Sequence, residues 1–289
     1  MRVADQLTTL SRGIDASAVI HPTAIVADGA TIGAGCRIGP YCTVSAEAVL
    51  EEGVTLVSHV VIDGDVRLGA GVQAMSFATI GLPPQDLKYK GEPTRVEIGA
   101  RTIIREHATI HRGSVGGHGL TQVGADCLIM CTAHIGHDCV LDHHVILANN
   151  VMLGGHVQIG DTVFVGGGAA IHQFVRIGRQ VVVGGMTGVE ADVIPFGAVM
   201  GDRARLTGLN LIGLKRRGFP RSQINTLRAV YRALFRAPGV FGERLANVEA
   251  QYGADPVVQE ILTFVRADSH RGLCKARRGV IEDDEAEAG

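Results

Sequence analysis

A mainly β fold, a parallel β-helix of triangular section closed by a small α-helical domain, is predicted by three features of the 289-residue sequence. Branched aliphatic residues recur every six positions, glycine is abundant at 39 residues with no tryptophan, and a helical apolar spacing appears only after Pro220. The six-residue step runs from Ile20 through Val26, Ile32, Ile38, Val44, Leu50, Leu56, Ile62, Leu68 and Ala74 to Ile80. It resumes at Ile98, Ile104 and Ile110, and then runs unbroken from Val123 to Val189. A helix repeats near 3.6 residues and a strand at 2, so a sustained six needs another geometry. Three hexads closing one coil of eighteen residues supply it. The aliphatic residue points inward, and equivalent residues stack at the parallel-strand spacing of about 4.8 Å. Glycines directly after the inward residue, Gly33, Gly39, Gly69, Gly124, Gly136, Gly154, Gly160, Gly166, Gly178 and Gly184, fit corners where a side chain would crowd.

Along the chain, residues 1–195 form the repeat solenoid, and two interruptions, near 81–97 and 111–122, are loops thrown out from it, where sites are often built. Residues 196–219 connect the solenoid to a helical domain over residues 220–275. That domain is expected because Ile224, Leu227, Val230 and Leu234 lie at helical spacing and Ser222 is a plausible N-cap. Residues 276–289, ending in EDDEAEAG, form an acidic tail without an apolar anchor, expected to be disordered.

Composition narrows the function. A formal net charge of -2 with 46% hydrophobic residues describes a soluble globular protein and gives no electrostatic reason for nucleic-acid binding. The opening MRVADQLTTL lacks the basic start and apolar run of a secretion signal, and no apolar stretch is long enough to span a membrane, so a cytoplasmic protein is expected. Six cysteines without a CxxC pair suggest neither a disulfide framework nor a zinc cluster.

The histidines gain meaning from the repeat. His134 precedes the inward Ile135 and His137 follows it by two, so both project outward. Eighteen residues beyond His137 lies Gly155, beside His156, and eighteen more reach His172 and Gln173. A stripe of His134, His137, His156, His172 and Gln173 therefore runs along one edge. Isolated outward histidines are ordinary wet surface or subunit packing, the reading kept for His143 and His144 on a neighbouring side. Four along one edge point to a site.

The segments QDLKYKGEPTRVEIG, IHRG, AHIGHDC, NNVMLGGHV, IHQF and GLNLIGLKRRGF, in this order and spread over nearly the whole chain, resemble the UDP-N-acetylglucosamine O-acyltransferase family. The resemblance implies a left-handed β-helix and a cytoplasmic homotrimer without a cofactor or metal. It further implies transfer of a 3-hydroxyacyl chain from acyl carrier protein to the sugar 3-hydroxyl, the first step of lipid A biosynthesis. By similarity His137 is the general base, Asp138 orients it, and the Gly155 N–H receives the oxyanion, roles that suit a weak hydroxyl nucleophile attacking a thioester. Asp86 and Lys88 resemble contacts to the sugar and the phosphate-bearing donor. His134, His156, His172 and Gln173 resemble substrate contacts, and Asn210, Arg216 and Arg217 resemble the nucleotide end, where guanidinium forks suit a diphosphate. Gly185, Met186 and Arg203 are candidates for the floor that sets acyl length.

Other readings stay open at this level. A zinc carbonic anhydrase uses the same solenoid and would draw on His134, His137 and His156. An amino-sugar N-acyltransferase, a non-enzymatic scaffold and covalent catalysis through Cys139 are further alternatives. One departure from the family pattern is Ile212, where a glutamate commonly follows the motif's asparagine by two. Either the acceptor is supplied elsewhere or the nucleotide is held less tightly, and the expectation is an unchanged reaction with an altered affinity for the uridine end. Ile212→Glu is expected to lower the nucleotide-sugar Kd by about fivefold, the worth of one hydrogen bond, and an unmoved Kd in calorimetric titration rejects that account.

Overall fold

The structure, a computed structural model, describes residues 13–277. The expectations for MRVADQLTTL and for EDDEAEAG lie outside these residues. Within them the chain winds as a left-handed parallel β-helix with three faces. The first face stacks strands from Val19–Ile20 to Arg205–Leu209, the second from Ile25–Val26 to Gly188–Val189, and the third from Thr31–Ile32 to Arg176–Ile177. Pairing is parallel and mostly eighteen residues apart, as in Val19 with Arg37 and His134 with Met152.

Two inward columns fill each side. The hexad aliphatics are nearly inaccessible, and so are the residues two positions before them, among them Val54, Val60, Val145 and Val151. This second column takes small side chains, because two residues from adjacent hexads must share the space near a corner. It explains Cys36, Cys42, Cys127 and Cys139, all buried in it. The glycine after the inward aliphatic is required by close approach and not by torsion. None of those ten glycines has positive φ, whereas a Cβ on Gly39 would stand 1.7 Å from the Val57 carbonyl oxygen of the next coil. The left-handed torsion falls instead two residues later, on side chains such as Asp138, His156 and Phe174, with φ of 59°, 63° and 65°.

The interruptions are shorter than the sequence suggested. Strands Thr79–Leu82, Arg95–Ile98 and Leu120–Val123 run four residues each and Thr109–His111 three, consuming the margins of both segments and leaving excursions of 83–94 and 112–119. The extra pairing, Arg95 through Ile98 against Asp65 through Leu68 on one side and Leu120 through Val123 on the other, holds their bases. Both excursions leave the corner between the second and third faces.

Residues 196–219 are more than a connection. Gly197–Met200 and Arg205–Leu209 form an antiparallel hairpin that extends the first face, followed by α1 (Leu211–Arg216). Helices α2 (Arg221–Phe235), α3 (Phe241–Tyr252) and α4 (Pro256–Arg266) then pack around Ile224, Leu227, Val230, Leu234, Val258 and Ile261, with Phe196 joining them from the solenoid end. Ser222 is not the N-cap. Helix α2 begins at Arg221 after Pro220, whose fixed φ of -58° starts the turn without a side-chain cap, and Ser222 lies inside the helix. After α4 the chain returns to the solenoid, where Leu273 bridges Asp192 and Ala276 bridges Leu206. Helix therefore stops at residue 266, and residues 273–276 belong to the β end and not to a helical domain or a tail. Among the described residues no helix is long and apolar enough to cross a membrane.

Gly39→Ala is expected to destabilise the fold by about 1–3 kcal/mol or more, as overpacking against backbone does. Gly116→Ala, where a Cβ meets nothing within 4 Å, should leave the thermal midpoint in place. Equal midpoints for the two variants would contradict the close-approach account.

Candidate active site

The corner between the second and third faces collects most of the histidine stripe. Eighteen-residue winding puts His137, Gly155 and Gln173 in one row and Asp138, His156 and Phe174 in the next, tied by backbone bonds from His156 N to His137 O at 2.9 Å and Phe174 N to Gly155 O at 3.1 Å. The His156 ring stacks on Phe174 at 4.3 Å and meets His137 edge-on at 5.0 Å. A Cβ at Gly155 would come within 2.6 Å of His137 Cε1 and Nε2, so any side chain there would displace the ring. The Gly155 N–H donates to no group among the described residues.

Asp138 is the most enclosed member. It has no exposed surface, and its carboxylate accepts from His137 Nδ1 at 2.8 Å, from Ser114 Oγ at 2.6 Å and from the backbone N–H groups of Ser114, His118 and Gly119. Burial opposes its ionisation, but the bonds from His137, Ser114 and His118 prevail and bring its pKa down to about 2. An ionised Asp138 only accepts, so Nδ1 of His137 carries the proton and Nε2 is left as the basic nitrogen.

The flanking histidines stay neutral. Burial, with like charge from His111 and His137, lowers the pKa of His134, whose Nδ1 bonds Thr109 Oγ1 at 2.8 Å. Burial likewise lowers that of His156, although the nearby Asp138 opposes it. At neutral pH both rings can bond a substrate without a fixed charge.

The first excursion carries Asp86 and Lys88. Asp86 Oδ1 accepts from Lys88 N at 3.0 Å, shaping a turn that leaves the Lys88 ammonium without an ion pair among the described residues. His111, not singled out individually from the sequence, anchors this excursion by donating from Nδ1 to Pro83 O at 2.6 Å. The segment after α4 also reaches the corner unannounced. Arg271 bonds Gln173 O at 2.8 Å and His172 Nδ1 at 2.6 Å, and His270 lies 5.1 Å from Phe174. No repeat or spacing marks Arg271, because its place depends on the helical domain folding back.

Other expected residues stand apart. Asn210 caps α1 by accepting from Gly213 N at 3.0 Å and donates to Gln180 O, while Arg217 reaches Thr162 O. Gln180 and Thr162 lie at the corner between the third and first faces, so one chain does not bring Asn210, Arg216 and Arg217 to His137. Ile212 is exposed on α1. Gly185 and Met186 lie exposed at the remaining corner, and Arg203 pairs with Glu190.

Two of the alternative chemistries meet obstacles in these surroundings. Cys139 is fully buried, burial pushes its thiol up to about 12, and its Sγ donates to Gly154 O, an unreactive arrangement. Among the described residues, the His/carboxylate grouping with metal-ligand proximity is His118, Asp138 and His156, not His134, His137 and His156. Its central carboxylate is already occupied by the donors above.

The chain's likenesses agree with one another. A profile described as UDP-N-acetylglucosamine O-acyltransferase domain 2 matches residues 192–274, and a bacterial transferase hexapeptide profile matches 14–46 and 120–155. An acyl-[acyl-carrier-protein]--UDP-N-acetylglucosamine O-acyltransferase of Caulobacter vibrioides is 50% identical over 90% of this chain and 99% of its own. One from Azorhizobium caulinodans is 48% identical over 93% and 99%. Among solved structures, the UDP-N-acetylglucosamine acyltransferase of Campylobacter jejuni superposes with a TM-score of 0.84 at 35% identity, covering 89% of this chain and 100% of its own.

The Asp138 cradle has a pH signature. A folded pKa of about 2 lies below the ordinary 3.8, so the ionised carboxylate stabilises the fold above about pH 4. That contribution is lost as pH falls toward about 2. Asp138→Asn lacks it, so its deficit in thermal midpoint relative to the parent should be larger at about pH 5 than at about pH 3. A deficit independent of pH would mean the carboxylate charge is not what the cradle holds.

Proposed function

Because the chain belongs to the UDP-N-acetylglucosamine O-acyltransferase family, we infer that it moves a 3-hydroxyacyl chain from acyl carrier protein to the 3-hydroxyl of UDP-N-acetylglucosamine, the first step of lipid A biosynthesis. The observation that carries the mechanism is His137, with Nδ1 held by a buried ionised Asp138 and Nε2 within 2.6 Å of where a Cβ on Gly155 would stand.

The sugar hydroxyl gives its proton to Nε2 as its oxygen attacks the thioester carbonyl carbon. Asp138 stabilises the imidazolium that forms, and the Gly155 N–H bonds the developing oxyanion. Collapse of the tetrahedral intermediate breaks the carbon–sulfur bond, and His137 returns the proton to the leaving thiolate. Neutral His134 and His156, with His172 and Gln173, line the acceptor, and Asp86 and Lys88 reach the sugar and the donor's phosphate from the first excursion.

The separation of Asn210, Arg216 and Arg217 from His137 supports a site shared between copies. In a closed ring of three, the His137 corner of one subunit faces the α1 side of the next, a heterologous contact that rotation closes. The basic Lys215, Arg216 and Arg217 then serve the nucleotide diphosphate and the acidic carrier, drawn in by long-range attraction. On this reading Gly185, Met186 and Arg203 are the candidates for the floor that sets acyl length. The enzyme works in the cytoplasm, where acyl carrier protein is available.

The test is acyl transfer from 3-hydroxyacyl carrier proteins of several chain lengths to UDP-N-acetylglucosamine. His137→Ala is expected to lose about a hundredfold or more. A fully active variant would discard His137 as base, and no transfer by the parent enzyme with any donor would reject the acceptor.

A further inference from the structure

We propose that Ser114 is a positioning residue for this reaction, its hydroxyl and amide holding the Asp138 carboxylate toward His137, and that the 112–119 excursion is the cradle that makes this possible. The proposal rests on His137 being the base.

Two groups compete for the same carboxylate oxygen. His137 Nδ1 lies 2.8 Å from Asp138 Oδ2, and His156 Nε2 lies 3.9 Å from it. A small swing of the carboxyl group would hand it from one ring to the other, leaving His137 without a fixed tautomer. Ser114 opposes that swing. Its hydroxyl donates to Oδ2 at 2.6 Å, its amide is shared between the two oxygens at 3.0 and 3.1 Å, and the His118 and Gly119 amides hold Oδ1 at 2.9 and 3.1 Å.

The excursion is built for this contact. Gly117 and Gly119 both donate to Ser114 O, closing the turn that aims the amides inward. Gly117 has no room for a side chain, since a Cβ would stand 2.3 Å from Asp138 Cγ. Ser114 is buried while Val115 at the tip is exposed, so the inward half of the excursion serves one carboxylate. From the other side the Asp138 amide donates to Thr121 Oγ1 at 2.8 Å, fixing the backbone that carries the carboxyl group. A serine whose hydroxyl merely filled space would not share an oxygen with the base.

The experiment measures steady-state acyl transfer for Ser114→Ala, Ser114→Thr, Asp138→Asn, His137→Ala and the double variant Ser114→Ala with Asp138→Asn. Ser114→Ala should lower kcat about tenfold, the effect of losing one bond to a charged group, with the KM for UDP-N-acetylglucosamine within about twofold. Ser114→Thr keeps the hydroxyl and should restore kcat. In the Asp138→Asn background, Ser114→Ala should cost less than about twofold, because a residue acting through Asp138 has nothing left to position. Parental kcat in Ser114→Ala, the same loss in both backgrounds, or a threonine variant as poor as alanine each overturn the proposal. If His137→Ala is itself fully active, the reading beneath it has failed, a result distinct from those. Should Ser114→Ala fail to fold, Ser114→Cys, with similar volume and a weak donor, stands in its place under the same criteria.

Discussion

The closure of each coil at eighteen residues is the constraint on which the rest of this molecule depends. Parallel backbone pairing sets the spacing between coils, and inward Ile, Leu and Val fill the triangle, so neighbouring coils have almost no freedom to shift. The tight approach at Gly39 and its equivalents leaves no room for a Cβ. What is gained is a row of corners whose outward side chains are fixed in register. Phe174 under His156, and His156 against His137, result from winding alone.

A rigid edge does not by itself set the charge of its side chains. The Asp138 carboxylate beside His137 is both buried and charged, although burial alone would favour the neutral acid. The second excursion resolves that conflict by covering Asp138 with four hydrogen-bond donors from Ser114, His118 and Gly119. Burial also lowers the pKa of His134 and His156, because desolvation penalises their protonated forms. One local environment thus sets opposite charge states for the carboxylate and the flanking rings.

The far end of the chain closes the solenoid and completes the corner. Buried Asp192 accepts from Arg176 and Ser269, and Glu260 of α4 pairs with Arg179, so the helices are fastened to the last coils. That fastening delivers Arg271 to His172 and Gln173, and Arg179 over Phe196 at 4.9 Å seals the junction. The end cap and the His137 corner are therefore joined. The α1 side, by contrast, faces another edge.

The sequence alone determined the winding, the inward column and the edge on which His134, His137, His156 and Gln173 fall, because a strict period converts residue number into position. It also marked where the period broke, although not how far pairing would extend into the breaks, since Arg95–Ile98 takes its length from Asp65–Leu68 and Leu120–Val123 takes its own from Arg95–Ile98. Tertiary structure alone decided the rest. Ser114 meets Asp138 across 24 positions, Arg271 meets His172 across 99, and His111 anchors Pro83, none of them related by the eighteen-residue step. Asn210 and Arg217 read as site residues in sequence, yet the hairpin and α1 carry them to another corner. Periodic contacts are legible because they repeat, whereas contacts made by excursions and returning segments each occur once and depend on how the whole chain packs.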